Sequence, residues 1–77
     1  MDIDDFIERF EDAVEGLEPG TLGADSRYRD LETWDSLAVL TVIAMVDAEY
    51  GVSLRAEDFQ NNPTLRELAD AVGSRAP

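Results

Sequence analysis

The stretch SLAVLTVIAMVDAEY, residues 36–50, decides how the rest of the chain is read. Nine of the ten residues from Leu37 to Val46 are apolar, with Thr41 the exception. Its β-branched residues Val39, Thr41, Val42, Ile43 and Val46 would also suit a strand, and periodicity does not separate a buried strand from a buried helix in a continuous apolar run. Length decides for helix, since strands are commonly about five or six residues long. Asp35 before it is a good N-cap, and Gly51 after it stands where a left-handed C-terminal residue is wanted. The apolar part is about half of what a bilayer crossing needs, so it is a helix to be packed. On a helical wheel Val39, Ile43, Val46 and Tyr50 share one direction, and Leu37, Leu40, Thr41, Ala44 and Ala48 another. One set is expected in the core and part of the other near the surface.

Upstream, Ile3, Phe6, Ile7, Phe10, Val14 and Leu17 fall at helical spacing, capped by Asp2 and ended by Gly16, Pro19 and Gly20. Asp4, Asp5, Glu8, Glu11, Asp12 and Glu15 read as the solvated face of that first helix. The segment from Leu17 to Trp34 is too long for an ordinary connection and must be pinned, with Leu22, Tyr28, Leu31 and Trp34 as anchors. Downstream, residues 53–60 hold a short helical pattern with Leu54 and Phe59 buried, and Asn61-Asn62-Pro63 breaks it. Thr64-Leu65-Arg66-Glu67 is a capping box, and Leu65, Leu68, Ala69 and Val72 line one face of the helix it opens. Gly73 is expected to end that helix and to leave a frayed tail. The expected fold is all-α: a small four-helix bundle of three longer helices and one short one, with a long first loop, residues 1–77 forming one domain.

Composition narrows the chemistry. Eighteen acids face six arginines, so the net charge of −12 repels nucleic acid and anionic membranes and favours partners with basic surfaces. Cysteine, histidine and lysine are absent. There is then no disulfide or thiolate metal site, and no histidine or lysine base to activate a serine nucleophile, which disfavours an autonomous enzyme. Asp2, Asp4 and Asp5 lack the glycine of a calcium loop and read as a helix start. An acidic N-terminus carries no export signal, so a cytoplasmic location and a monomeric state are the default expectations.

Two serines follow an aspartate, Ser26 and Ser36. Ser26 precedes Arg27-Tyr28-Arg29 inside the loop, whereas Ser36 opens the apolar helix, where free N–H groups and the positive end of the dipole suit a phosphate group. Ser36 is the better site for a phosphodiester. The apolar helix is either simply the central helix of the bundle or, in part, a docking strip rimmed by acids.

Asp35-Ser36-Leu37 opening an apolar helix at mid-chain, in an acidic four-helix pattern running from Ile3 to Val72, resembles the acyl carrier proteins. The resemblance implies that Ser36 receives a 4'-phosphopantetheine arm from coenzyme A, installed by a separate phosphopantetheinyl transferase with magnesium. The arm's thiol then holds acyl intermediates as thioesters for acyl-loading and acyl-processing partners. It implies that Asp35 takes part in transferase recognition and that Leu37, Leu40, Thr41, Ala44, Asp47 and Ala48 face partners. It places Val39, Ile43, Val46, Phe6, Phe10, Leu65, Leu68 and Val72 around the bundle interior. Leu22-Gly23-Ala24-Asp25-Ser26 looks like the same motif but has Arg27 where leucine is expected, and is read as a decoy. Two departures from the family pattern, Thr41 where an acid is common and bulky Trp34 before the motif, favour a specialised polyketide, modified-lipid or hydroxy-acid pathway. The competing expectation is an unmodified acidic helical interaction module with Ser36 as an ordinary first-turn residue.

Overall fold

A computed structural model describes residues 2–77. Its helices are α1 (Ile3–Ala13), α2 (Ser36–Tyr50), α3 (Ala56–Asn61) and α4 (Leu65–Arg75), with one 3-10 turn at Tyr28–Asp30 in the long first loop. Among the described residues there is no strand. The all-helical bundle expected from the sequence is therefore the fold, and its Cα radius of gyration of 11.0 Å matches the roughly 11.5 Å of a compact chain this long.

Each helix begins where a side chain satisfies its free N–H groups. Asp2 accepts from the Asp4 N–H at 3.0 Å, Asp35 Oδ1 from Ala38 at 2.8 Å and Asp58 Oδ2 from Arg55 at 2.8 Å. Thr64 Oγ1 accepts from Glu67 at 3.3 Å, so the capping threonine of the last helix is in place. At its far end α2 closes on Gly51, whose φ of 68° is the left-handed value a glycine takes without strain.

The core is continuous and aromatic. All six aromatic side chains form one connected cluster: Phe6 meets Phe10 and Tyr50, Phe10 meets Tyr28 and Trp34, and both Tyr28 and Trp34 meet Phe59. Trp34 stacks on Phe10 with ring centroids 5.9 Å apart and planes at 12°, and meets Phe59 edge-on at 5.4 Å. Val14, Val42, Val46, Leu65, Leu68 and Val72 close the space around them.

Four local readings are corrected. First, α1 stops at Ala13, before the glycines, because Val14 turns to extended backbone and is buried as a loop anchor. Second, Glu11 is not on the solvated face: it is 5% exposed and its carboxylate accepts from the N–H groups of Gly20 at 3.1 Å and Leu22 at 2.9 Å. Third, the fully covered line of α2 is Ala38, Val42 and Val46, while Val39 and Ile43 are half-buried. A helix apolar on nearly every side has no directional pattern, so sequence periodicity could not fix its rotation. Fourth, α4 runs through Gly73 to Arg75 in place of a frayed tail, and the Arg75 guanidinium reaches Asp58 at 3.0 Å and the Ser53 carbonyl at 2.7 Å.

The loop is pinned as expected, and by more than side chains. Tyr28 is fully buried, and Leu22, Leu31 and Trp34 are half-buried against the core. In addition, the Leu65 N–H donates to the Ser26 carbonyl at 3.2 Å and the Arg66 N–H to the Ala24 carbonyl at 2.8 Å. These are the first two N–H groups of α4, which helix geometry leaves without internal partners. The loop thereby caps the helix it crosses.

Candidate functional site

The first turn of α2 sets the site. With the Asp35 carboxylate on the Ala38 N–H and the Asp35 carbonyl accepting from Val39 at 3.0 Å, the start of the helix is fixed. Among the described residues, the Ser36 and Leu37 N–H groups meet no acceptor. Ser36 is exposed, and two open donors at a positive helix end lie beside its hydroxyl. Open N–H groups at the positive end of a helix suit an anion such as a phosphate group.

The other serine is spent on structure. Ser26 Oγ accepts from the Gly23 N–H at 2.8 Å while the Ser26 N–H returns to the Gly23 carbonyl at 3.1 Å. It closes a tight turn and is half-buried.

Beyond Ser36 the surface of α2 is apolar. Leu37 and Leu40 are 55% and 63% exposed, the large hydrophobic side chains that the fold leaves open. Ala44, Asp47 and Ala48 are exposed with them. Thr41 is half-buried, its hydroxyl donating to the Ala38 carbonyl at 3.0 Å. The sequence-selected residues therefore do fall on one side of the helix, with Thr41 at its inner edge. At the far end Arg9 of α1 bridges Asp5 at 3.0 Å and Glu49 at 2.6 Å. Its hydrogen bond to Asp5 holds the guanidinium pKa above its ordinary value, and burial raises that of the neighbouring Tyr50 phenol.

One residue beside the site gave no signal in the sequence. Thr33 Oγ1 is buried and has no hydrogen-bond partner. Thr33 lines a pocket of about 160 Å³ together with Glu15, Asp35, Leu37, Ala38 and Thr41. A second groove, about 400 Å³, continues along the same side of α2 past Thr41, Ala44 and Met45 towards Ala13 and Arg9.

Residues 12–72, most of the chain, match the family described as the phosphopantetheine attachment site. The chain belongs to that family. It is a phosphopantetheine-bearing carrier protein, and 4'-phosphopantetheine is its covalent cofactor. Neither the curated proteins nor the solved structures gave a match to it.

The residues present fit such a group. A carrier of this kind needs an open hydroxyl, donors for the phosphate and room for the arm, and the first turn of α2 offers Ser36, two open N–H groups and the pocket beside Leu37. A phosphopantetheine carrier works with a transferase and with acyl-processing enzymes, which supply the chemistry. Among the described residues no cluster of carboxylates is disposed to hold a metal, and no helix is long and apolar enough to cross a membrane.

Proposed function

We propose that Ser36 is the attachment point and that residues 1–77 act as one monomeric, cytoplasmic carrier domain presenting acyl thioesters to partner enzymes. The observation that carries this reading is the contrast between the two serines: Ser36 is exposed on the first turn of α2, while Ser26 is held in its own turn. In the loading step the Ser36 oxygen forms a bond to the phosphorus that bears the pantetheine, the pyrophosphate link of coenzyme A breaks, and the nucleotide half leaves. The hydroxyl proton goes to a base of the transferase, since this chain has no histidine or lysine.

Asp35 serves recognition while capping the helix, and Leu37, Leu40, Thr41, Ala44, Asp47 and Ala48 form the contact strip. A basic partner is drawn in by the net charge of −12, and the exposed leucines supply the apolar contact. From Ser36 to Val46 the helix carries no acid. That neutral first part of the docking surface supports partners from a specialised polyketide, modified-lipid or hydroxy-acid pathway.

The test is intact mass after incubation of the apo protein with coenzyme A, magnesium and a broad-specificity phosphopantetheinyl transferase. One phosphopantetheine is expected on wild type and on Ser26→Ala, and none on Ser36→Ala. Addition that survives Ser36→Ala would move the site elsewhere. A folded wild type that gains nothing with several transferases would favour the unmodified acidic interaction module.

A further inference from the structure

The bundle interior is where an apolar chain tethered at Ser36 would escape water. Ser36 shares a face of α2 with Val39, Leu40 and Ile43, and both Val39 and Ile43 are half-buried against the core. Burying alkyl surface is favourable, so any space at that point would draw the chain in. The space is filled. Trp34, two residues before Ser36, touches three rings: it stacks on Phe10 of α1 with centroids 5.9 Å apart, and meets Tyr28 of the loop edge-on at 5.0 Å and Phe59 of α3 edge-on at 5.4 Å. Phe10, Tyr28 and Phe59 are buried, while Trp34 is half-buried, so its indole closes the interior from the rim. Extra methylenes enter such a core only by shifting side chains and backbone. Moving α3 outward would make room, but α3 is tied on two sides. The Tyr28 hydroxyl donates to the Phe59 carbonyl at 3.1 Å, with the Asn62 carbonyl also against it, and Arg75 of α4 reaches Asp58 at 3.0 Å.

Taking Ser36 as the attachment point, we infer that Trp34 keeps the carried acyl chain out of the bundle, so that the thioester and the chain behind it stay open to partner enzymes. Trp34 thereby sets which chains this carrier suits, without touching the reacting atoms. A long alkyl chain left outside keeps the cost of hydrating its methylenes. The cargo that fits is therefore a short or polar acyl group, such as a hydroxyacyl group. Replacing the indole by a small side chain reverses the effect, because the surrounding structure relaxes only in part. The cavity so made is lined by Phe10, Tyr28 and Phe59 and adjoins the attachment point. An apolar cavity of that kind stays dry and takes up hydrocarbon.

The experiment loads wild type and Trp34→Ala from acetyl-, hexanoyl- and decanoyl-coenzyme A with the transferase and checks each product by intact mass. Loss of the acyl group to neutral hydroxylamine is then followed, a reaction that takes the acyl group as a hydroxamate and frees the arm's thiol. Each rate is divided by that of the same acyl-coenzyme A, which cancels chemical differences among the chains. In wild type the ratios should agree within about 2-fold, because a chain that stays outside is open to the reagent all the time. Trp34→Ala should protect hexanoyl about 5-fold or more relative to acetyl, and should melt higher with hexanoyl than with acetyl, since a group that enters only the native state stabilises it. Trp34→Leu, which opens a smaller cavity, takes its place if the alanine variant does not fold. As the only tryptophan, Trp34 also reports directly, and its emission in wild type should be the same with every chain. Wild-type protection that grows with chain length, an emission shift with decanoyl, or a folded variant that protects no better than wild type overturns the role of Trp34 while leaving Ser36 as the attachment point. A wild type that gains no mass, or a gain that persists in Ser36→Ala, removes the attachment point and the role of Trp34 with it.

Discussion

A phenol with no exposed surface must give its proton to something inside the protein. Tyr28 donates to the Phe59 carbonyl at 3.1 Å, with the Asn62 carbonyl also against it, and so ties the long loop to the end of α3. Burial pushes its pKa well above the ordinary value of 10.0, because the charged form would lose water. The sign of the linkage follows. The folded state keeps the proton at pH values where the unfolded chain has released it, so the stabilisation is complete below about pH 10 and declines above it. The urea midpoint is expected to fall between pH 8 and pH 11. Tyr28→Phe should lose about 1–2 kcal/mol at pH 8 and show a weaker fall towards pH 11, with Tyr50 still contributing in the same direction. A midpoint as steep in the variant as in wild type would count against Tyr28 as the source.

Among the elements, α1 does more than offer an apolar face. Glu11 reaches out of its buried line to hold the N–H groups of Gly20 and Leu22, fixing where the loop departs. Glu11→Ala is expected to cost about 2–3 kcal/mol in chemical denaturation, because two donors lose a charged acceptor, and Glu11→Gln less, since an amide oxygen replaces one carboxylate oxygen. A variant within about 0.5 kcal/mol of wild type would show that water satisfies those groups equally well. Glu11 was legible in the sequence: it follows Ile7 by four residues and precedes Val14 by three, in the line of the apolar face. Reading every acid as solvated hid it. The start and stop of α2, the capping threonine of α4 and the loop anchors were likewise readable, because capping chemistry and glycine φ are local; the reciprocal half of the α4 capping box does not form, since the Glu67 carboxylate accepts from the Thr64 hydroxyl in place of its N–H. The rotation of α2 was not, since its apolar residues surround it, and neither was the Thr33 pocket, which depends on how the chain after α1, the loop and α2 meet.

At the scale of the whole molecule, charge dominates. A net charge of −12 sits on a body of 31 × 23 × 21 Å, and most ion pairs, such as Arg9 with Asp5 and Arg66 with Asp25, lie at the surface, where each contributes little. At 10 mM salt the screening length is about 30 Å, so acids on opposite sides repel one another; at 100 mM it is about 10 Å. Raising sodium chloride over that range should raise the melting temperature, whereas a fall would mean that the ion pairs outweigh the repulsion. Across this charged surface the crossing of the long loop over α4 is held by the carbonyls of Ala24 and Ser26. A carbonyl is common to every amino acid, so the two bonds themselves ask for no particular side chain; what the Ser26 hydroxyl adds is the turn that aims them. The hold of the loop on α4 therefore depends on the course of the backbone through that turn.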